Sequence, residues 1–437
     1  MCFVPVYILI LGFTIVIDYF AGIYIERSVG KKRKWFLVAS LVANIGVLAV
    51  FKYYNFFNEN LTVILHGAGY ENPIPFLSIL LPIGLSFHTF QAMSYTIEIY
   101  RGNQKAEKHF GIYSLYVMFY PQLVAGPIER PQNLLHQFYK EHDFNYERVI
   151  KGLKQMLWGL FIKVVIADRL ALYVDAVYNN SELHTGKTLV LATIFFAIQI
   201  YCDFSGYSNI AIGAARVMGF DLMTNFNRPY FAKSISEFWK RWHISLSTWF
   251  KDYFYISLGG NKVSIPRWYL NLFLVFLVSG FWHGANWTFI MWGALNGFYL
   301  IFALVTRNVR EKISRKTGLK SKSALNKSFQ IAITFILVCL SWVFFRVVSV
   351  TEGFTIIKKM VLFKGSFFID SPAMMVYCFF GIAILFFVEF VNEYKLQKFN
   401  FFQNNKWRIQ EISYASLIIL ILLIGVFDGG QFIYFQF

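Results

Sequence analysis

Three histidines sit where nearly every neighbour is apolar or aromatic. They are His88 in Ser86-Phe87-His88-Thr89-Phe90, His243 in Arg241-Trp242-His243, and His283 in Gly280-Phe281-Trp282-His283-Gly284. From Asn271 to Thr306 no Asp, Glu, Lys or Arg accompanies His283. Taking an imidazole out of water disfavours its charged form, so such a histidine is held neutral. A neutral imidazole can accept a proton from a hydroxyl, which is the task of a general base. The same residues also suit histidines that only hydrogen-bond for packing, and their spacing leaves both readings open.

Other side chains can serve the same chemistry. Asp203, in Tyr201-Cys202-Asp203-Phe204-Ser205-Gly206, is a carboxylate in apolar surroundings; it can orient a histidine, bind a cation, or hydrogen-bond to Ser205 or another span. Glu98 is similar but lies near a span end. Lys240 and Arg241 can hold the phosphates of a cytosolic donor, or equally touch anionic lipid headgroups. Cys2, Cys202, Cys339 and Cys378 are scattered without Cys-x-x-Cys spacing, so neither a disulfide framework nor a metal site is expected. No phosphate-binding Gly-rich loop, dinucleotide fingerprint, Gly-x-Ser-x-Gly elbow or His-Glu-x-x-His is present. Serine-hydrolase and zinc-protease chemistry is thereby set aside.

The elements that position these residues are membrane helices. Of 437 residues 57% are hydrophobic, 20% aromatic and only 15% charged, against about 25% charged in a soluble domain. Lipid must be the solvent for much of the surface. Bilayer-length apolar stretches fall at 4–25, 35–54, 76–100, 110–125, 156–178, 189–218, 268–282, 287–305, 329–350, 373–391 and 413–435. An all-α polytopic protein with about eleven membrane segments is expected, at roughly 20 residues per crossing. Pro82-Ile83-Gly84 and the stretch from Pro121 to Pro127 interrupt two of them, so some are read as broken or re-entrant. With no linker to divide the chain, residues 1–437 read as one membrane domain. No signal peptide is read at its start.

The net charge of +17 sits between the spans, at Lys31 to Lys34, Arg307 to Lys327 and Lys395 to Arg408. Arg307 to Lys327 holds eight basic residues against Glu311 alone, which makes this loop cytoplasmic. No nucleic-acid-binding module accompanies the charge. Counting spans from that loop puts 234–262 on the cytoplasmic side, the turn at His283-Gly284-Ala285-Asn286 outward or at depth, and the C-terminus outside. In 234–262, Trp239, Trp242, Leu246, Trp249 and Phe250 lie near one helical face. With Tyr253, these tryptophans suit the membrane–water interface, so helices lying in or under the headgroups are expected, capped by Ser234 or Ser236. No internal repeat is evident, which weighs against many secondary transporters.

Glu237-Phe238-Trp239-Lys240-Arg241-Trp242-His243-Ile244-Ser245-Leu246-Ser247 and Gly280-Phe281-Trp282-His283-Gly284 resemble the two signature segments of membrane-bound O-acyltransferases. The resemblance is to the bacterial branch that acetylates alginate and other exopolysaccharides. Pro82 to Gln91, Val124 to Arg130, Asp203 to Ser208, Asn225 to Tyr230 and Phe344-Phe345-Arg346 extend it, in order, over most of the chain. It implies helices ringing a central funnel or tunnel, with His283 catalytic and His243 the family's second histidine. It also implies transfer of acetyl from a cytosolic thioester, acetyl-CoA or an acyl-carrier thioester, with no bound cofactor. The acceptor side would be an extracytoplasmic polysaccharide, reached directly or through a periplasmic acetyltransferase partner, at the bacterial inner membrane.

Phe432-Ile433-Tyr434-Phe435-Gln436-Phe437 resembles the Phe-x-Tyr-x-x-Phe ending tied to acyl relay in cell-wall systems. Tyr434 is then a candidate acyl carrier, or else an aromatic belt residue. Family members usually begin with a further hydrophobic segment, so the N-terminus at Met1-Cys2-Phe3 reads as truncated relative to them. D-alanyl or other acyl transfer to a cell-wall polymer is an alternative activity. A transporter or flippase with no bond-making role is an alternative of another class.

Overall fold

The computed structural model describes residues 7–78, 82, 84–316, 323–399, 401–402 and 406–427. Among them all regular structure is helical, with no strand. Eight helices are long and apolar enough to cross a membrane: Ile8–Arg27, Gly30–Gly67, Gly186–Met218, Ile265–His283, Trp287–Val305, Ala324–Arg346, Pro372–Glu393 and Trp407–Ile424. The chain is a multi-pass membrane protein.

Three of the expected eleven stretches are not among these eight. The stretch 76–100 becomes a helix only from Leu85, after Gly84 adopts φ +80°, and Leu85–Arg101 is 17 residues long. The stretch 110–125 gives Phe110–Met118, nine residues, followed by turns. The stretch 156–178 lies in two helices, Tyr146–Phe161 and Asp168–Tyr178, joined by a π turn at Ile162–Ala167 that carries Lys163. Mean apolarity over a window does not register the turns that end the first two, whereas Tyr146–Tyr178 stays helical through its π turn.

The chain groups into two compact units. The first comprises Met1–Val149, Ala215–Met223 and Gly284–Asn286; the second comprises Ile150–Ala214, Thr224–His283 and Trp287–Phe437. In the first unit, the fully buried Asp18 meets donors from a neighbouring helix. Ser40 Oγ donates to Asp18 Oδ1 at 2.6 Å, and Asn44 Nδ2 reaches both carboxylate oxygens at 3.0 and 2.8 Å. Ser40 Oγ also lies 2.9 Å from Thr96 Oγ1. A carboxylate away from water needs such partners, and here they fasten three helices together.

The second unit holds a large apolar core. Its helix Gly186–Met218 is 83% buried over its most apolar stretch, whereas Trp407–Ile424 is 11% buried. The former is therefore walled by protein and the latter faces lipid. Helices Ile265–His283 and Trp287–Val305 approach to backbone contact at Gly280 and Gly293. A Cβ on Gly280 would stand 2.3 Å from Phe289 O, and one on Gly293 2.3 Å from Phe276 O. Without a hydrophobic drive between helices in lipid, small residues permit this close dispersion packing.

Candidate active site

Ser234 starts the short helix that leads to His243. Its Oγ accepts from the Glu237 N–H at 3.1 Å, while Glu237 Oε2 accepts from the Lys233 N–H at 2.9 Å. This reciprocal capping defines Ile235–Arg241. The helix stops because Trp242 is extended and His243 is left-handed, with φ +41° and ψ +57°. For a residue with a Cβ that conformation costs about 1–2 kcal/mol, so surrounding contacts must hold it. The Asn225–Asn227 stretch does so: Ile244 N donates to Asn225 O at 2.8 Å, and Asn227 N to Arg241 O at 2.9 Å. A new helix, Ile244–Trp249, starts beyond the break.

The break turns the His243 ring inward, and the residue is 1% exposed. Its Nδ1 lies 3.2 Å from Asn225 Oδ1 and 3.4 Å from Ser245 Oγ. Phe204 stands edge-on at 4.5 Å between ring centroids. Burial pushes the imidazole down to about 3, so it is neutral at any working pH.

His283 ends the Ile265–His283 helix and is 6% exposed. Trp282, Trp292 and Phe345 surround its ring at centroid distances of 4.9, 5.0 and 5.3 Å, all edge-to-face. Trp292 continues to Trp342 at 5.8 Å, Trp342 to Trp242 at 5.1 Å, Trp242 to Phe226 at 5.2 Å, and Phe226 to His243 at 6.3 Å. An unbroken run of rings therefore joins the two histidines. The indole N–H groups of Trp292 on this run and of Trp239, which packs against it at 5.6 Å, are buried without an acceptor among the described residues. Leaving a buried donor unmet costs about 1–3 kcal/mol.

The remaining candidates lie elsewhere. Arg241 is occupied: its Nη atoms reach both Glu393 oxygens at 3.0 and 2.9 Å and Glu237 Oε1 at 2.7 Å. Lys240 is exposed. Asp203 pairs with Lys163, which also reaches Asp168 Oδ1 at 2.7 Å. His88 belongs to the first unit, where its Nε2 lies 2.9 Å from Thr14 Oγ1. Tyr434 lies outside the described residues. Among those described, no group of three or more His, Cys, Asp or Glu could hold a metal.

Trp242, Trp249 and Tyr253 are 1%, 6% and 8% exposed, so their rings pack against protein, where contact with lipid headgroups was expected. The left-handed turn at His243 folds the segment back, which helical periodicity cannot register. Sequence reasoning also missed Glu393, which Arg228 Nε reaches at 2.7 Å, and Glu389, which accepts from Tyr201 Oη. Both are carboxylates in or at the end of an apolar span, and that signal was available.

Glu393 binds two arginines, so Glu393→Gln leaves them with too little negative charge. We expect a loss of about 2–3 kcal/mol, less than for a fully buried pair because Arg228 stays partly solvated. It is read as a lowered thermal midpoint in detergent, with Glu393→Asp intermediate. An unchanged midpoint would show the arginines to be held by other groups.

A family model described as the membrane-bound O-acyltransferase family matches residues 107–346, which include both histidines. The chain is 38% identical over 361 residues to the probable alginate O-acetylase AlgI of Pseudomonas aeruginosa, covering 82% of this chain and 66% of that protein. It is 36% identical over 387 residues to the peptidoglycan O-acetyltransferase of Helicobacter pylori, covering 82% and 71%. To the teichoic acid D-alanyltransferase of Streptococcus thermophilus it is 29% identical over 290 residues, covering 61% and 69%. The chain thus spans about two thirds of the length of these relatives.

Proposed function

Because the chain belongs to the membrane-bound O-acyltransferase family, we propose that it moves acetyl from a cytosolic thioester to hydroxyls of an extracytoplasmic polysaccharide. The donor is acetyl-CoA or an acyl-carrier thioester. A hydroxyl oxygen attacks the thioester carbonyl as His283 takes the hydroxyl proton. The C–S bond then breaks, the thiolate takes that proton back, and an ester and a free thiol result. The Trp292 indole N–H is a suitable donor to the carbonyl oxygen as charge develops on it. The observation that carries this reading is the aromatic run from His243 to His283, both deeply buried.

Charge supports a direction for the transfer. Helix Ile265–His283 follows Lys262 and contains Arg267 near its start, and Trp287–Val305 is followed by Arg307 and Arg310. The basic ends of both helices mark one side as cytoplasmic. A 19-residue helix rises about 28 Å, so His283 lies towards the opposite face. On this reading the chain sits in the bacterial inner membrane with its C-terminus outside.

Higher identity to the acetylating relatives than to the D-alanylating one favours acetyl over D-alanyl. The test is labelled acetyl-CoA supplied to purified vesicles. Label in base-labile esters on added glycan is expected. Label that crosses without becoming covalent would indicate a transporter, and label only from a D-alanyl thioester would change the acyl group. If Tyr434 relays the acetyl, Tyr434→Phe keeps the ring, loses the hydroxyl and should abolish glycan esters. Unchanged acetylation rules out a covalent relay there.

A further inference from the structure

Asn225 is fully buried in the loop beside His243, and its amide orientation follows from its neighbours. Its Oδ1 lies 3.2 Å from the Ser245 backbone N–H and 2.9 Å from Ser245 Oγ, while its Nδ2 points to Ser208 Oγ at 3.2 Å. A backbone N–H only donates, so the atom facing it must be the amide oxygen. The flipped amide would set N–H against N–H. The same Oδ1 is 3.2 Å from His243 Nδ1. Two acceptors do not meet at that distance inside a protein, so Nδ1 carries the hydrogen. In a neutral imidazole the lone pair then resides on Nε2.

We propose that Asn225 is a positioning residue that locks His243 in the Nδ1–H tautomer and so makes Nε2 the accepting nitrogen of that ring on the acyl-transfer path. This rests on the reading above, with His283 taking the hydroxyl proton and His243, at the other end of the aromatic run, assisting at the donor side. Three donors converge on the one oxygen, and Ser208 keeps the amide from rotating. The left-handed backbone at His243 brings Nδ1 to that oxygen, because the Ile244 N–H is tied to the Asn225 carbonyl at 2.8 Å. The strained turn and the buried amide therefore act as one device: the turn sets where the ring lies, and the amide sets which nitrogen is basic.

The test combines ¹⁵N-histidine NMR on the full chain in nanodiscs with acetyl-transfer kinetics. The His243 signals are assigned by their loss in His243→Gln. Wild type should show a protonated Nδ1 and an unprotonated Nε2. Asn225→Leu should lose that signature and lower kcat at least about ten-fold with KM changed less than about two-fold, because the ring stays in place while its basic nitrogen is no longer fixed. Asn225→Asp keeps the accepting oxygen and should restore both tautomer and most of the rate, which a residue needed only for packing would not do. A wild-type spectrum with hydrogen on Nε2 overturns the proposal, even if Asn225→Leu does not accumulate. So does an Asn225→Leu enzyme with normal kcat when His243→Gln is inactive. Full activity in His243→Gln instead overturns the role given to His243, while the tautomer measurement still reports on Asn225.

Discussion

His283→Ala should lower acetyl transfer about 10³–10⁴-fold, equivalent to about 4–5.5 kcal/mol of barrier, while the protein still reaches the membrane. Any substitute that cannot take up the hydroxyl proton forces the reaction through a charged, poorly solvated intermediate. The surroundings sharpen that cost. Trp282, Trp292 and Phe345 wall the ring, and the two helices it joins carry no Asp, Glu, Lys or Arg from Asn271 to Thr306. Alanine also removes three edge-to-face contacts, so His283→Gln belongs beside it: glutamine fills more of the volume but is not a base. Equal losses in both variants at normal membrane abundance assign the effect to chemistry. Surface glycans with normal ester content in either variant would remove His283 from the catalytic role.

His283 stands out in the sequence as a candidate because an ionisable group in an otherwise uncharged stretch is conspicuous, and because its Gly-Phe-Trp-His-Gly setting is specific. Its partners were harder to see. Asn225 is a neutral amide in a loop, and nothing in the spacing between 225 and 243 announces that one oxygen would collect three donors. The tryptophans of 234–262 were visible, but their placement depends on a single left-handed residue, and aromatic periodicity had suggested an interface instead. Arg241 looked available for a phosphate until Glu393, 152 residues away, was seen to occupy it. Most of the long helices were read to within about five residues, since 20 apolar residues have few alternatives in lipid, but 35–54 and 413–435 missed the bounds of Gly30–Gly67 and Trp407–Ile424. The segments at 85–101 and 110–118 are shorter than the apolar stretches that contain them, because turns at Gly84 and beyond Met118 end helices where hydropathy averages straight through.

Gly280→Ala should be among the most destabilising single-methyl additions in the chain, at about 2–4 kcal/mol, at or above the usual overpacking range. The added Cβ would stand 2.3 Å from the Phe289 carbonyl oxygen and 3.2 Å from Gly293 Cα. Backbone atoms cannot swing aside as a side-chain tip does, so the two helices must separate. Gly280 is one turn before His283, and Gly293 follows Trp292 directly. Separation therefore pulls the imidazole from the indole that flanks it, and activity should fall further than the amount of folded protein. Gly46→Ala is the matched control. A Cβ there meets nothing within 4 Å, so it should be neutral or stabilise by about 0.5–1 kcal/mol through helix propensity alone. Thermal midpoints in detergent compare the two directly. If Gly280→Ala melted with wild type, the close crossing would not exist in the membrane. If it melted early yet kept its full rate per folded molecule, the placement of His283 against Trp292 would be irrelevant to transfer. The pair of alanines thus separates what the glycine does for the fold from what it does for the site.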